Sequence, residues 1–201
     1  MPLQLKNICV FCGASPGADE AYIRDTQTLG ALFAANGLGI VYGGGNLGVM
    51  GAIATSVADN GGNVLGIIPT PMVEAYGEHL KFVGETVQVP DMHSRKAMMN
   101  ERSDAFVALP GGLGTFEEIL EAITWSQLGI HAKPVVLLNT NGFYEPLKAL
   151  IAMGVSQGFI KKENGQIAVF CDTPETVVEA LVNYELPGGR AVMPWEKKLA
   201  I

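Results

Sequence analysis

Along this chain, short apolar runs rich in Val, Ile and Phe alternate with longer stretches in which apolar positions recur every three or four residues. Unbroken runs of four to six apolar residues suit strands covered on both faces, and the longer period suits helices laying one stripe against them. Strands are predicted near residues 7–12, 38–43, 63–68, 104–109, 134–138 and 166–170. Helices are predicted near 18–36, 47–60, 91–102, 114–129, 143–155 and 174–184, with a short one at 71–76. The stretch Glu85-Thr86-Val87-Gln88-Val89 reads as either an extra strand or a loop. Such alternation builds βαβ units, so the fold class is α/β: a doubly wound, mostly parallel sheet flanked by helices.

Right-handed crossovers in that order set the first strand beside the 104–109 strand, at the switch point where ligands of such sheets bind. Three loops at the carboxyl ends of neighbouring strands then converge: Cys12 to Gly17, Gly43 to Gly51, and Leu109 to Glu118. Gly43, Gly44 and Gly45 precede a helix, so backbone N–H groups and the helix N-terminus can face an anion there; close packing of the helix on the sheet is the alternative use of the glycines. The segment has no Gly-Lys-Ser/Thr ending, unlike an NTPase loop, and does not spell the dinucleotide fingerprint.

The third loop, Pro110-Gly111-Gly112-Leu113-Gly114-Thr115-Phe116-Glu117-Glu118, is the richest in chemistry. It can cradle a phosphate on N–H groups freed by Gly111, Gly112 and Gly114. Thr115-x-x-Glu118 ahead of Ile119 and Leu120 also matches a capping box, in which each side chain bonds the other residue's N–H. Pro187-Gly188-Gly189 repeats the opening letters without Thr or Glu behind them, so Pro-Gly-Gly alone means a turn.

Between these loops lies Asp91-Met92-His93-Ser94-Arg95-Lys96, where Asp91 or Ser94 can cap a helix. Arg95 and Lys96 sit in its first turns, against the positive end of the dipole. A bound anion, or a carboxylate such as Glu118 from another helix, would account for them. Met92 can touch a flat ligand, whereas Met98 and Met99 read as core or interface. Glu118 and Glu121 lie three apart on one helical face and repel unless cations or hydroxyls intervene.

Composition narrows the partners. A chain of 201 residues with net charge −7 and pI near 4.9 is expected to be one domain, residues 1–201, with 187–201 as a C-terminal tail that packs on the body or a partner, or is disordered. Clustered Lys and Arg are missing, so neither nucleic acid nor an anionic membrane is an expected partner. No segment approaches the roughly 18 unbroken apolar residues of a membrane span, and Met1 to Val10 is unlike a secretory leader. Cys9, Cys12 and Cys171 do not form a disulfide pattern, and His79, His93 and His131 have no metal-ligand spacing. A cytoplasmic location and no built-in metal are expected.

The combination Met92-His93-x-Arg95-Lys96 and Pro110-Gly111-Gly112-x-Gly114-Thr115-x-x-Glu118, with Cys12-Gly13-x-Ser15 and Gly43-Gly44-Gly45, resembles the Lonely Guy (LOG) family. These are cytokinin riboside 5′-monophosphate phosphoribohydrolases, long mislabelled lysine decarboxylases, and the resemblance runs from about Ile8 to Tyr184. It implies a Rossmann-like homodimer or larger oligomer that cleaves the N-glycosidic bond of an AMP-like nucleotide without a cofactor. Arg95 and Glu118 match the catalytic pair. Gly111, Gly112, Gly114 and Thr115 match the phosphate loop, and Glu121 matches a ribose contact. Ser15, Gly44, Gly45, Met92 and Lys96 complete the expected substrate-binding set. A non-catalytic nucleotide-binding or sensing protein on the same fold is the alternative. Decarboxylation on pyridoxal phosphate is disfavoured, because Lys96 is the only lysine near the motifs and a second substrate domain is missing.

Overall fold

The computed structural model describes residues 5–195, so positions 196–201 of the expected tail lie outside the described residues. Strands β1 (Asn7–Phe11), β2 (Gly39–Tyr42), β3 (Val64–Pro69), β4 (Glu85–Val89), β5 (Ala105–Ala108), β6 (Val135–Leu138) and β7 (Ala168–Cys171) form one parallel sheet in the order β4-β3-β2-β1-β5-β6-β7. Helices α1 (Glu20–Ala35), α2 (Gly48–Asp59), α3 (Thr70–Tyr76), α4 (Met92–Glu101), α5 (Leu113–Gln127), α6 (Glu145–Ser156) and α7 (Pro174–Val182) make the crossovers. The undecided stretch at 85–89 is a strand, paired with β3 from Leu65↔Glu85 to Pro69↔Val89. It is the sheet edge, which explains its weak apolar pattern: four of its five residues are exposed or half-exposed. The first strand lies beside β5, Ile8↔Ala105 to Phe11↔Ala108, as the doubly wound order requires.

Each strand face feeds a different core. Ile8, Val10, Ile40 and Val107 pack with Leu29, Phe33, Ile53 and Leu181 of α1, α2 and α7. Cys9, Val41, Phe106 and Leu137 pack with Met99 of α4 and Ile119 of α5, and Leu147 and Ile151 of α6 close over them. Each fully buried Ile, Leu or Phe contributes about 1.5–3 kcal/mol. Cys9 and Cys12 fall into opposite cores, as a spacing of three along an extended chain dictates, and all three cysteines are free.

The helix starts divide into two kinds. Asp19 caps α1 through the Ala21 N–H, Asp91 caps α4 through the Ser94 N–H, and Thr173 with Thr176 forms a capping box on α7. The α5 start has no side-chain cap, which corrects the capping-box reading of Thr115 and Glu118. The helix begins earlier than that motif implies: Gly112 is the N-cap, Thr115 already lies in the first turn and Glu118 in the second. At the other end of α5 the described part of the tail is docked rather than loose. Arg190 donates to the Ser126 and His131 carbonyls at 3.0 and 2.8 Å, Ala191 N–H to Gln127 O at 2.8 Å, and Trp195 Nε1 to Leu128 O at 2.8 Å.

Candidate active site

The three glycine-bearing loops meet at the carboxyl edge of β2, β1 and β5 and are bonded to one another. Gly13 N–H donates to Pro110 O at 3.1 Å, while Met50 and Val49 of α2 donate their N–H groups to Gly13 O (2.9 Å) and Ser15 O (3.4 Å). At the start of α2, where the Gly43–Gly48 pattern suggests an anion site, two of the first-turn donors thus already serve the β1–α1 loop. Gly44 is buried against Ile68, and the Gly45 N–H faces Met50 Sδ at 3.3 Å.

The start of α5 is different. Among the described residues, nothing accepts the N–H groups of Leu113, Gly114 or Thr115, and Gly112 and Gly114 open onto free space. A helix N-terminus with uncommitted donors is built for an anion. Gly111 is needed there because a side chain on it would run into Thr115 Oγ1, the hydroxyl that packs beneath the turn. A cleft of about 340 Å³ in front of Gly111 and Gly112 is walled by Gly13, Ser15, Tyr22 and Phe143.

Beside this cleft Arg95 and Glu118 form an ion pair, Nη1 to Oε1 at 2.7 Å, with side chains 9% and 8% exposed. Arg95 Nε donates to Ile67 O at 3.1 Å, so β3 holds the guanidinium in place, and Met92 Sδ lies 3.9 Å from Nη1. A side chain on Gly43 would collide with Arg95 Nη2, so this glycine exists for close approach. Burial pushes the Glu118 carboxyl above the usual range, and Arg95 pulls it back only in part. Burial, reinforced by Glu118, likewise pushes the Cys12 thiol far up, which keeps it protonated and unreactive.

Lys96 Nζ bonds Glu117 and, at 2.8 Å, Glu121 Oε2. The cations misplaced at the start of α4 are thus explained by the carboxylates of α5, Arg95 meeting Glu118 and Lys96 being shared by Glu117 and Glu121. Like-charge repulsion along α5 is relieved by Arg95 on one face and Lys96 on the other.

On the far side of Arg95 lies an apolar pocket of about 140 Å³ lined by Met50, Ile68, Met72, Tyr76 and Leu80, with Asn46 and His79 as polar groups. That is smaller than the ~300 Å³ of a site taking a whole drug-sized ligand, so it suits one end of a molecule. Of the expected residues, Ser15, Gly111 and Gly112 line the anion cleft, with Gly114 and Thr115 next along the first turn of α5, while Arg95 and Gly45 line the apolar pocket and Arg95 contacts Glu118 and Met92. Lys96 and Glu121 engage each other, and Gly44 lies behind the loop. The apolar pocket escaped the sequence reading; the signal was there in Met72 and Tyr76, four apart on a short helix at the carboxyl end of β3. Among the described residues, His, Cys, Asp and Glu side chains form no metal-holding group of three or more.

Comparison with known proteins agrees with these motifs. A family described as "Possible lysine decarboxylase" matches residues 50–181. A probable cytokinin riboside 5′-monophosphate phosphoribohydrolase of rice, LOGL2, is 44% identical over 197 residues, covering 96% of this chain and 80% of the rice protein. The Arabidopsis thaliana cytokinin riboside 5′-monophosphate phosphoribohydrolase LOG3 is 46% identical over 183 residues, covering 90% and 84%. Among solved structures, the molybdenum cofactor binding protein of Rippkaea orientalis has the same fold, with a TM-score of 0.63 at 22% identity over 88% of this chain and 95% of that one. The Moco carrier protein of Chlamydomonas reinhardtii superposes with a TM-score of 0.64 at 20% identity, covering 87% and 94%.

Proposed function

We propose that this chain, which belongs to the Lonely Guy family of cytokinin riboside 5′-monophosphate phosphoribohydrolases, hydrolyses adenine-type nucleoside 5′-monophosphates to the free base and ribose 5-phosphate. The observation that carries the reading is the buried Arg95–Glu118 pair, whose arginine lines an apolar pocket with Met50 and Ile68 that shares Ala14 with the anion cleft at Gly111 and Gly112. A nucleotide has the same polarity. Its phosphate suits the open N–H groups of Leu113, Gly114 and Thr115, its base suits the apolar pocket, and the ribose C1′ then falls near Glu118.

As the C1′–N9 bond lengthens, positive charge grows on the ribose, and a preorganised carboxylate stabilises it. Water adds to C1′ while the bonding electron pair leaves with N9. One proton of that water ends on the base, and Glu118 orients the water and takes up the proton in passage. A guanidinium does not deprotonate in proteins, so Arg95 acts by charge and position: it favours the ionised form of Glu118 against the upward push of burial. Holding the phosphate at α5 lets binding energy remote from C1′ orient the sugar.

The reading extends to a homodimer or larger homo-oligomer in the cytoplasm. Leu113, Leu150 and Phe159, on or beside the helices of one sheet face, are 85%, 57% and 89% exposed, more than an isolated surface needs. Three free thiols suit a reducing compartment. Chromatography of the products decides the chemistry: free base and sugar phosphate are expected from AMP and its N6-substituted forms, and none from the nucleosides. No base release from any purine monophosphate would return the protein to the non-catalytic nucleotide-binding class. Sedimentation equilibrium tests the assembly, with a monomer at micromolar concentration counting against it.

A further inference from the structure

The carbonyl of Leu109, the last residue before Pro110, accepts a hydrogen bond from the phenol of Tyr144 at 2.7 Å. Tyr144 is only 1% exposed and lies just ahead of α6, far along the chain from the loop it touches. Its own N–H donates to Asn139 Oδ1 at 2.7 Å. The Asn139 amide in turn donates to Glu145 Oε1 at 2.8 Å and Asp172 Oδ1 at 3.1 Å, which ties the ends of β6 and β7 into one buttress. The neighbouring Phe143 packs edge-on against Tyr144, with ring centres 5.0 Å apart, and lines the anion cleft with Gly111 and Gly112.

Leu109 is held at both ends, since its N–H donates to Phe11 O at 2.9 Å, and the next carbonyl, Pro110 O, accepts from Gly13 N–H. Two of these restraints come from the neighbouring β1 chain and its loop. The third, the phenol, is a single removable oxygen from another element. Rotating the Leu109 peptide plane would swing the glycines that follow, whose φ and ψ resist little, and with them the N–H groups at the start of α5.

We propose that Tyr144 is a positioning residue for the phosphate subsite: its hydroxyl sets the Leu109 carbonyl and so aims the α5 N–H groups at the 5′-phosphate. The role depends on a phosphate lying at α5, as the proposed function has it. Its mark is selectivity, because the phenol bears on the anion cleft and not on the apolar pocket beyond Arg95. Tyr144→Phe keeps the ring and its packing, so the core stays filled.

The test is calorimetric titration of wild type and Tyr144→Phe with ribose 5-phosphate and, separately, adenine, together with steady-state kinetics on AMP. A buried acceptor losing its donor should weaken ribose 5-phosphate binding by about tenfold and raise KM for AMP by a similar factor. Adenine affinity should stay within about twofold, a split between the two ligands that general loosening of the fold would not produce. Asn139→Ala should move the same quantities in the same direction. Equal weakening of both ligands, or no change in either, overturns the role, as does wild-type protein that does not bind ribose 5-phosphate. Should the wild type bind ribose 5-phosphate yet cleave no nucleotide, the hydrolase reading falls while the titrations still decide the role of Tyr144.

Discussion

Arg95 Nη1 stands 2.7 Å from Glu118 Oε1, a contact between two helices from residues 23 apart in sequence, almost wholly shut off from water. Removing one member of a buried pair typically costs 3–5 kcal/mol, because the other charge is left unsatisfied. Glu118→Gln is milder, since its amide oxygen can still accept from Arg95. The expected outcome is a folded protein with kcat down by roughly 10²–10³-fold, read by circular dichroism and by product chromatography. Unchanged turnover would remove Glu118 from the chemistry.

The raised pKa of Glu118 fixes the direction of the pH dependence. Catalysis needs the carboxylate, so kcat/KM should fall on the acid side at a pH above that of a free glutamate, 4.5. Stability moves the other way. The folded state binds this proton more tightly than the unfolded chain, so ionisation of Glu118 lowers stability as pH rises through the window between the two pKa values. A kcat/KM profile that stays flat down to the free-glutamate value would contradict the assignment.

Gly43→Ala tests the close approach over Arg95. The new Cβ meets Nη2, with Met50 Cε at 3.3 Å on another side, so the guanidinium must turn away from Glu118. Misplacement of about 1 Å in a catalytic group can cost 10²-fold. A drop in kcat of at least tenfold in a protein that keeps its native circular dichroism spectrum is expected; wild-type kcat would mean that Arg95 adapts freely.

His131 supplies a stability prediction apart from the site. Its Nδ1 accepts the Lys133 N–H at 3.2 Å and its Nε2–H donates to Ala122 O at 2.9 Å, so the neutral ring satisfies both partners. Burial pushes its pKa down from 6.5 to about 4, with the Ala122 bond opposing and Lys133 and Arg190 assisting. The unfolded chain therefore binds the proton first, and stability is lost as pH falls from 6.5 towards 4, by up to about 3 kcal/mol. Urea midpoints should show wild type losing its advantage over His131→Gln across that window. A constant difference between the two would refute it.

Much of the architecture is legible in the sequence, because strands covered on both faces must be continuously apolar and crossover helices must carry a stripe. The edge strand β4 was ambiguous for the same reason, having only one neighbour and a wet face. The approach of α5 carboxylates to the α4 cations was also legible, from cations set against the helix dipole at Arg95 and Lys96 and carboxylates clustered at Glu117, Glu118 and Glu121. Which cation meets which carboxylate was not, since spacing along α5 orders faces but does not say what α4 presents to them.

The linear chain by itself determined the fold class, the placing of β1 beside β5 and the convergence of three glycine-rich loops, all of which follow from local periodicity and the handedness of crossovers. Tertiary structure alone decided how the donors are shared out. It spends Val49 and Met50 of α2 on the β1–α1 loop and leaves those of α5 open, starts α5 at Leu113 rather than at a Thr115 cap, and brings Tyr144 under Leu109. Hydrogen-bond partners at that level are set by where packed elements come to rest, and a linear pattern carries only the faces they rest on.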